Sequence, residues 1–180
     1  RLTYGAFSYF NGGDMQGVLG ANAAAWAEME SAVAWVTGPV DVHAINHHGT
    51  PDAANAFFLS VLQPRIHIFS VYAASQPGPD LLRRVLSEKM YPGPRDVFLT
   101  NTRWPGREEH LRKLYGEADA MWLQEQLGKM AAGQGHVLVR VAPGGASYQV
   151  IMLDDSRESG AVLSVHGPYT SRAGAVAKAR

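Results

Sequence analysis

The chain has 180 residues, 46% of them hydrophobic and 18% charged, a composition that fits one domain with a substantial core and excludes general disorder. Sixteen basic side chains balance sixteen acidic ones, so no overall charge directs the chain to nucleic acid or to a membrane surface, although a local patch stays open. Cysteine is absent, which removes disulfides and zinc–thiolate sites, and no apolar run reaches the roughly 20 residues of a membrane-spanning helix.

Residues 2–10 are rich in Tyr, Phe and Thr and read as a strand that stops at the turn cluster Asn11-Gly12-Gly13-Asp14. Residues 23–36 (AAAWAEMESAVAWV) read as a helix, with Trp26, Met29, Val33 and Val36 at three- and four-residue steps and Gly38-Pro39 as its stop. A short strand over 40–46 leads directly into His47-His48-Gly49-Thr50. Residues 53–62 make a helix with Phe57, Phe58, Val61 and Leu62 inward, stopped by Pro64. Residues 66–72 are a buried strand, 80–90 an amphipathic helix that Asp80 caps, and 96–100 another strand. Residues 107–130 are charged, with helical Leu and Met spacing broken at Gly116, and read as surface helix. Residues 136–142 and 147–153 flank Pro143-Gly144-Gly145 and predict a hairpin, and 162–165 one more strand. The Gly- and Ala-rich tail from Ser171 onward is the segment expected to lack order. Strands alternating with helices, then a hairpin, predict an α/β (α+β) fold in which helices cover a mixed sheet.

Two clusters carry the candidate chemistry. After a strand, Gly12-Gly13 lets the backbone turn sharply and sets Asp14 at the strand's C-terminal end, where sites of layered α/β folds gather. Taken alone, such a cluster is more often a plain turn in which the carboxylate bonds backbone amides. His47-His48 also follows a buried strand, and imidazole suits zinc, iron and manganese. Adjacent residues of an extended strand point oppositely, so only one of the pair is expected to face a given site. Taken alone, this pair too is more often a surface feature. His43 and His67 lie within strands and read as packed residues; His110, His136 and His166 lack ligand spacing.

Together, a strand ending in Gly-Gly-Asp, a helix, and a strand ending in His-His-Gly-Thr resemble the C-terminal half of the metallo-β-lactamase superfamily. Residues 40–51 (VDVHAINHHGTP) are the most specific part. They look like the corresponding segment of hydrolases related to the nuclease-like domain of DNA-uptake channel proteins. The order of elements downstream agrees, and residues 103–133 stand out as a helical insertion. Gln76 stands where these relatives often have His, which puts a substrate contact there in doubt.

The resemblance implies the C-terminal half of an αβ/βα sandwich with a closing hairpin, in one domain or part-domain over residues 1–180. It implies a metal-dependent hydrolase acting on an ester or phosphodiester through a hydroxide shared by two zinc ions, with Mn or Fe as other candidates. Asp14 would bridge the metals and His47 would bind the second one, with His48 as the alternative ligand. His48, Asn46 and Thr50 would lie near the substrate, Asn46 and Thr50 also being candidates to orient His47. The superfamily's His-x-His-x-Asp-His motif is absent from these residues and is expected N-terminal to Arg1, so the N-terminal half of the fold is the expected partner. The other readings are a non-catalytic, degenerate binding or assembly domain, and a split enzyme completed by a second chain. The sequence leaves the compartment open between cytoplasmic and periplasmic or secreted.

Overall fold

The computed structural model describes residues 1–21, 23–132 and 135–172. The segment expected to form one strand instead doubles back. Strands β1 (Leu2–Tyr4) and β2 (Phe7–Asn11) pair antiparallel, because Gly5 adopts a φ of 57° and turns the chain between them.

From β2 the sheet grows in parallel steps through β3 (Val42–Ala44), β4 (Ile66–Phe69), β5 (Asp96–Leu99) and β6 (Ala131–Ala132), in chain order. Parallel neighbours need a crossover. These are α1 (Glu30–Thr37), α2 (Ala56–Leu62), α3 (Pro79–Leu86) and, for the last step, the pair α4 (Arg107–Tyr115) and α5 (Glu117–Lys129). A separate antiparallel sheet follows: β7 (Gly135–Val141), β8 (Ser147–Asp154) and β9 (Val162–Thr170). The predicted hairpin is there, and the strand expected over 162–165 runs on to Thr170.

Alternation along each strand divides the core. On one face of the large sheet Phe69 and Leu99 meet Leu59, Leu81 and Leu123 of the helices, and Phe10 meets Phe58 and Leu62. On the other face Phe7, Val42, Ile66 and Phe98 meet Tyr148, Val150 and Met152 of the small sheet. The fold is therefore α+β, with helices on one side of a mixed sheet and a three-stranded sheet on the other. Beside the sheet–sheet contact lies a cleft of 520 Å³ lined by Leu2, Tyr9, Ala44, Ile68, Val137 and Val139, which reaches Asn11, Ser70 and Thr100 at the C-terminal strand ends.

Several local expectations are corrected. The helix expected over 23–36 is a short turn at Ala25–Ala27 and then α1, which begins only at Glu30. Trp26 and Val36 of the proposed stripe are 83% and 85% exposed, and α1 packs through Glu30, Ala34 and Thr37. Asp80 does not cap α3; Gly78 precedes it, Pro79 takes the first helical position and Asp80 lies in the first turn. In α2, Leu59 is fully buried while Phe57 is exposed. The helices over 107–129 break at Gly116 as read, but they bury Leu111, Ala120, Leu123 and Leu127 in the main core and deliver the chain to β6. They cover the sheet and are no mere surface layer. The expectation for the tail falls, beyond Arg172, outside the described residues.

One contact joins distant parts of the chain. A Cβ on Gly145 would fall 1.9 Å from the Tyr4 carbonyl oxygen, and one on Gly5 would fall 2.0 Å from that of Gly144. The β1–β2 turn and the β7–β8 turn thus lie backbone against backbone.

Among the described residues no helix is long and apolar enough to cross a membrane.

Candidate metal centre at the strand ends

β2 and β3 run parallel, with Asn11 opposite Ala44, so the loops that leave them emerge side by side. The His47 backbone N–H donates to the Gly13 carbonyl at 2.9 Å and sets the two loops in register. Asp14 is exposed on the first loop, and His47 and His48 are partly exposed on the second.

The two histidines do not continue the strand. His47 (φ 47°, ψ 42°) and His48 (φ 56°, ψ 9°) both take the left-handed conformation, which costs a non-glycine residue about 1–3 kcal/mol and tends to gather at functional sites. The alternation expected of an extended pair therefore does not apply. The tight turn also needs Gly49, whose φ is 84° and whose missing Cβ would sit 2.6 Å from the Phe69 ring.

Each ring is held from behind. His47 Nδ1 lies 3.1 Å from Asp52 Oδ2, and His48 Nδ1 lies 2.8 Å from the Ser70 carbonyl oxygen. A carbonyl can only accept. His48 Nδ1 therefore donates, and the neutral ring carries its lone pair on Nε2. That Nε2 is 3.5 Å from Asp14 Oδ1. Two electron-pair donors facing each other at this distance can share a proton or a cation between them. The separation is one that two ligands of a single ion span when their bonds are about 2.0–2.2 Å long. A carboxylate or backbone carbonyl behind the other ring nitrogen is also the usual support of a metal-binding imidazole.

The structure thus brings Asp14 together with His48, the alternative ligand, while His47 turns to Asp52, its ring centre 6.5 Å from that of His48. Asn46 and Thr50 do not orient the His47 ring. Asn46 is fully buried, accepting from the Gly12 N–H at 3.2 Å and donating to Glu30 Oε1 at 2.7 Å, so it cannot face a substrate. The Thr50 hydroxyl donates to the His47 carbonyl.

Asp52 was missed in the sequence, although it lies five residues beyond His47. Tyr72 was missed as well. It is 74% exposed, with its ring 5.5 Å from that of His48. Gln76, doubtful as a substrate contact, is buried, and its Oε1 accepts from the Tyr72 and Ala73 N–H groups at 2.7 and 2.9 Å.

Glu30 is the buried anchor of the site. Fully enclosed, it accepts from Asn46 Nδ2, the Ala54 N–H and the Asn55 N–H, each at 2.7 Å. Burial raises its pKa above the ordinary carboxylate value, and these hydrogen bonds offset only part of the shift.

Among the described residues no three His, Asp or Glu side chains gather closely enough to hold an ion by themselves. Comparison with protein-family models, curated proteins and solved structures finds no match to this chain.

Proposed function

We propose that these residues form the C-terminal part of a metal-dependent hydrolase of the metallo-β-lactamase superfamily. The observation that carries the reading is the Asp14–His48 pair, in which a carboxylate oxygen and an imidazole lone pair converge at 3.5 Å on neighbouring strand ends. The resemblance of residues 40–51 adds the family. A bound zinc pair would supply Lewis acidity that activates water near neutral pH. Asp14 and His48 would hold the ion, the Ser70 carbonyl fixes the His48 tautomer, and Asp52 holds His47, which would be the next ligand or a neighbour of the substrate. By the resemblance, the remaining ligands would be those of a His-x-His-x-Asp-His segment, which these 180 residues do not contain. Its half of the fold would cover the apolar cleft beside β7. Esters and phosphodiesters are the proposed substrates, by analogy with the nuclease-like relatives.

The test measures turnover of an activated phosphodiester, bound zinc and melting temperature on the same variants of the assembled protein. Asp14→Ala and His48→Ala should lose metal and turnover together while keeping the melting temperature of the metal-free parent. Full activity in Asp14→Ala with metal retained would end the assignment. Absence of metal-dependent turnover in the assembled parent protein would leave the non-catalytic binding or assembly reading.

A further inference from the structure

A second cleft, of 630 Å³, opens at the start of α4, past the C-terminal end of β5, and is lined in part by Thr102, Trp104, Gly106, Arg107, Gln124 and Leu127. Arg107 is only 7% exposed. Its Nη2 donates to the Gln76 carbonyl at 2.6 Å, but among the described residues Nε and Nη1 have no acceptor, nor does the Trp104 indole N–H. Among the described residues no carboxylate pairs with this guanidinium. Glu108 and Glu109 line the same cleft but pair instead with Arg112, which also lines it, and with Lys113.

A buried cation without a counter-charge is expensive, and so is each unpaired buried donor. The helix adds its own field. The nine residues of α4 begin after Gly106 with no side-chain cap, so the positive end of its dipole faces the same opening. An anionic group placed there would supply what the fold omits. We infer that Arg107, Trp104 and the N-terminus of α4 form a binding site for a compact oxyanion, a carboxylate or a phosphate group of a ligand. Gln76 links this site to the histidine loop. Its carbonyl receives Arg107, and its side chain fixes the backbone of Tyr72, which lies against His48. The inference does not depend on a metal at Asp14 and His48.

Nitrogen-15 NMR of the whole chain, with the indole N–H of Trp104 as reporter, tests it. Inorganic phosphate and formate are titrated separately at constant ionic strength against chloride. The Trp104 indole signal should move saturably with one probe or both, phosphate alone marking a phosphoryl ligand and formate alone a carboxylate. In Arg107→Met, affinity should fall about tenfold or more, with a melting temperature equal to or above that of the parent chain because an unpaired buried charge is gone. Should that variant fail to fold, Trp104→Phe, which keeps the guanidinium, should still weaken binding severalfold, read from the amide signals of α4. No saturable shift with either probe, or equal shifts in parent and Arg107→Met, overturns the site.

Discussion

Glu30 and Asn46 meet at 2.7 Å, carboxylate to amide, and this bond ties helix α1 to the loop that carries both histidines. Because Glu30 also holds the Ala54 and Asn55 N–H groups, it fixes the start of that loop and the approach to α2. Glu30→Ala leaves buried donors unpaired and should cost about 3 kcal/mol. It should also broaden or move the His47 and His48 ring signals. A urea midpoint within error of the parent's, with unchanged ring signals, would refute this role.

How far the site was legible follows from the same contact. The parallel strands announce themselves, as in residues 66–69, because a strand buried on both faces reads as a nearly continuous apolar run, broken here only by His67. The hairpin is legible in Pro143-Gly144-Gly145. A buried carboxylate is not, since its partners lie 16 to 25 positions away. Glu30 is therefore easily taken for the outer face of a helix whose true inner face is Glu30, Ala34 and Thr37. For the same reason strand alternation misplaces the two histidines. Only the tertiary turn puts both in the left-handed region and aims His48, the alternative choice, at Asp14.

Asp52 makes a specific demand on metal affinity. As the carboxylate behind His47, it should matter only when His47 Nε2 meets an ion. Asp52→Asn in the assembled protein should weaken zinc binding about 10- to 100-fold, with little change in the melting temperature of the metal-free protein. Calorimetry giving equal zinc affinity in parent and variant would remove His47 from the ligand set and leave His48 alone on this loop.

Gln76 is a structural clamp, and its loss should show on Tyr72 first. Gln76→Ala leaves the Tyr72 and Ala73 N–H groups without their acceptor and should cost about 1–3 kcal/mol. Hydrogen exchange at those two amides should rise more than at the strand amides of β4. Unchanged exchange at both would show the loop to be held by other contacts.

His43 and His67 make the fold sensitive to acid. They sit opposite each other on β3 and β4, fully buried, with ring centres 5.6 Å apart, against Phe10, Phe58 and Tyr91. Burial pushes His43 down from 6.5 to about 3, the neighbouring Asn46 offsetting little. His67 is lowered well below 6.5 by burial, then by the charges of His43 and Arg95. Below pH 6.5 the unfolded chain takes up these protons and the folded one does not, so stability is lost as pH falls from 6.5 toward 3. Glu30, shifted upward, opposes this only in the range just above its ordinary 4.5. Each histidine adds at most about 1.4 kcal/mol per pH unit. His43→Leu should therefore flatten the urea-midpoint profile between pH 6.5 and 4 by about 1 kcal/mol per unit. Parallel profiles in parent and variant would contradict it.

The backbone contact of Gly5 and Gly145 has a consequence for the order in which the protein is made. The β1–β2 hairpin is translated well before the turn that clasps it, which arrives some 140 residues later. At about 5–20 residues per second, a ribosome leaves that hairpin without its clasp for about 7–28 s. The small sheet also brings Tyr148, Val150 and Met152 to Phe7 and Val42 only then. The apolar face of the large sheet therefore stays open on the nascent chain until the strands of residues 135–170 emerge, and it closes only after the large sheet's own strands have been made.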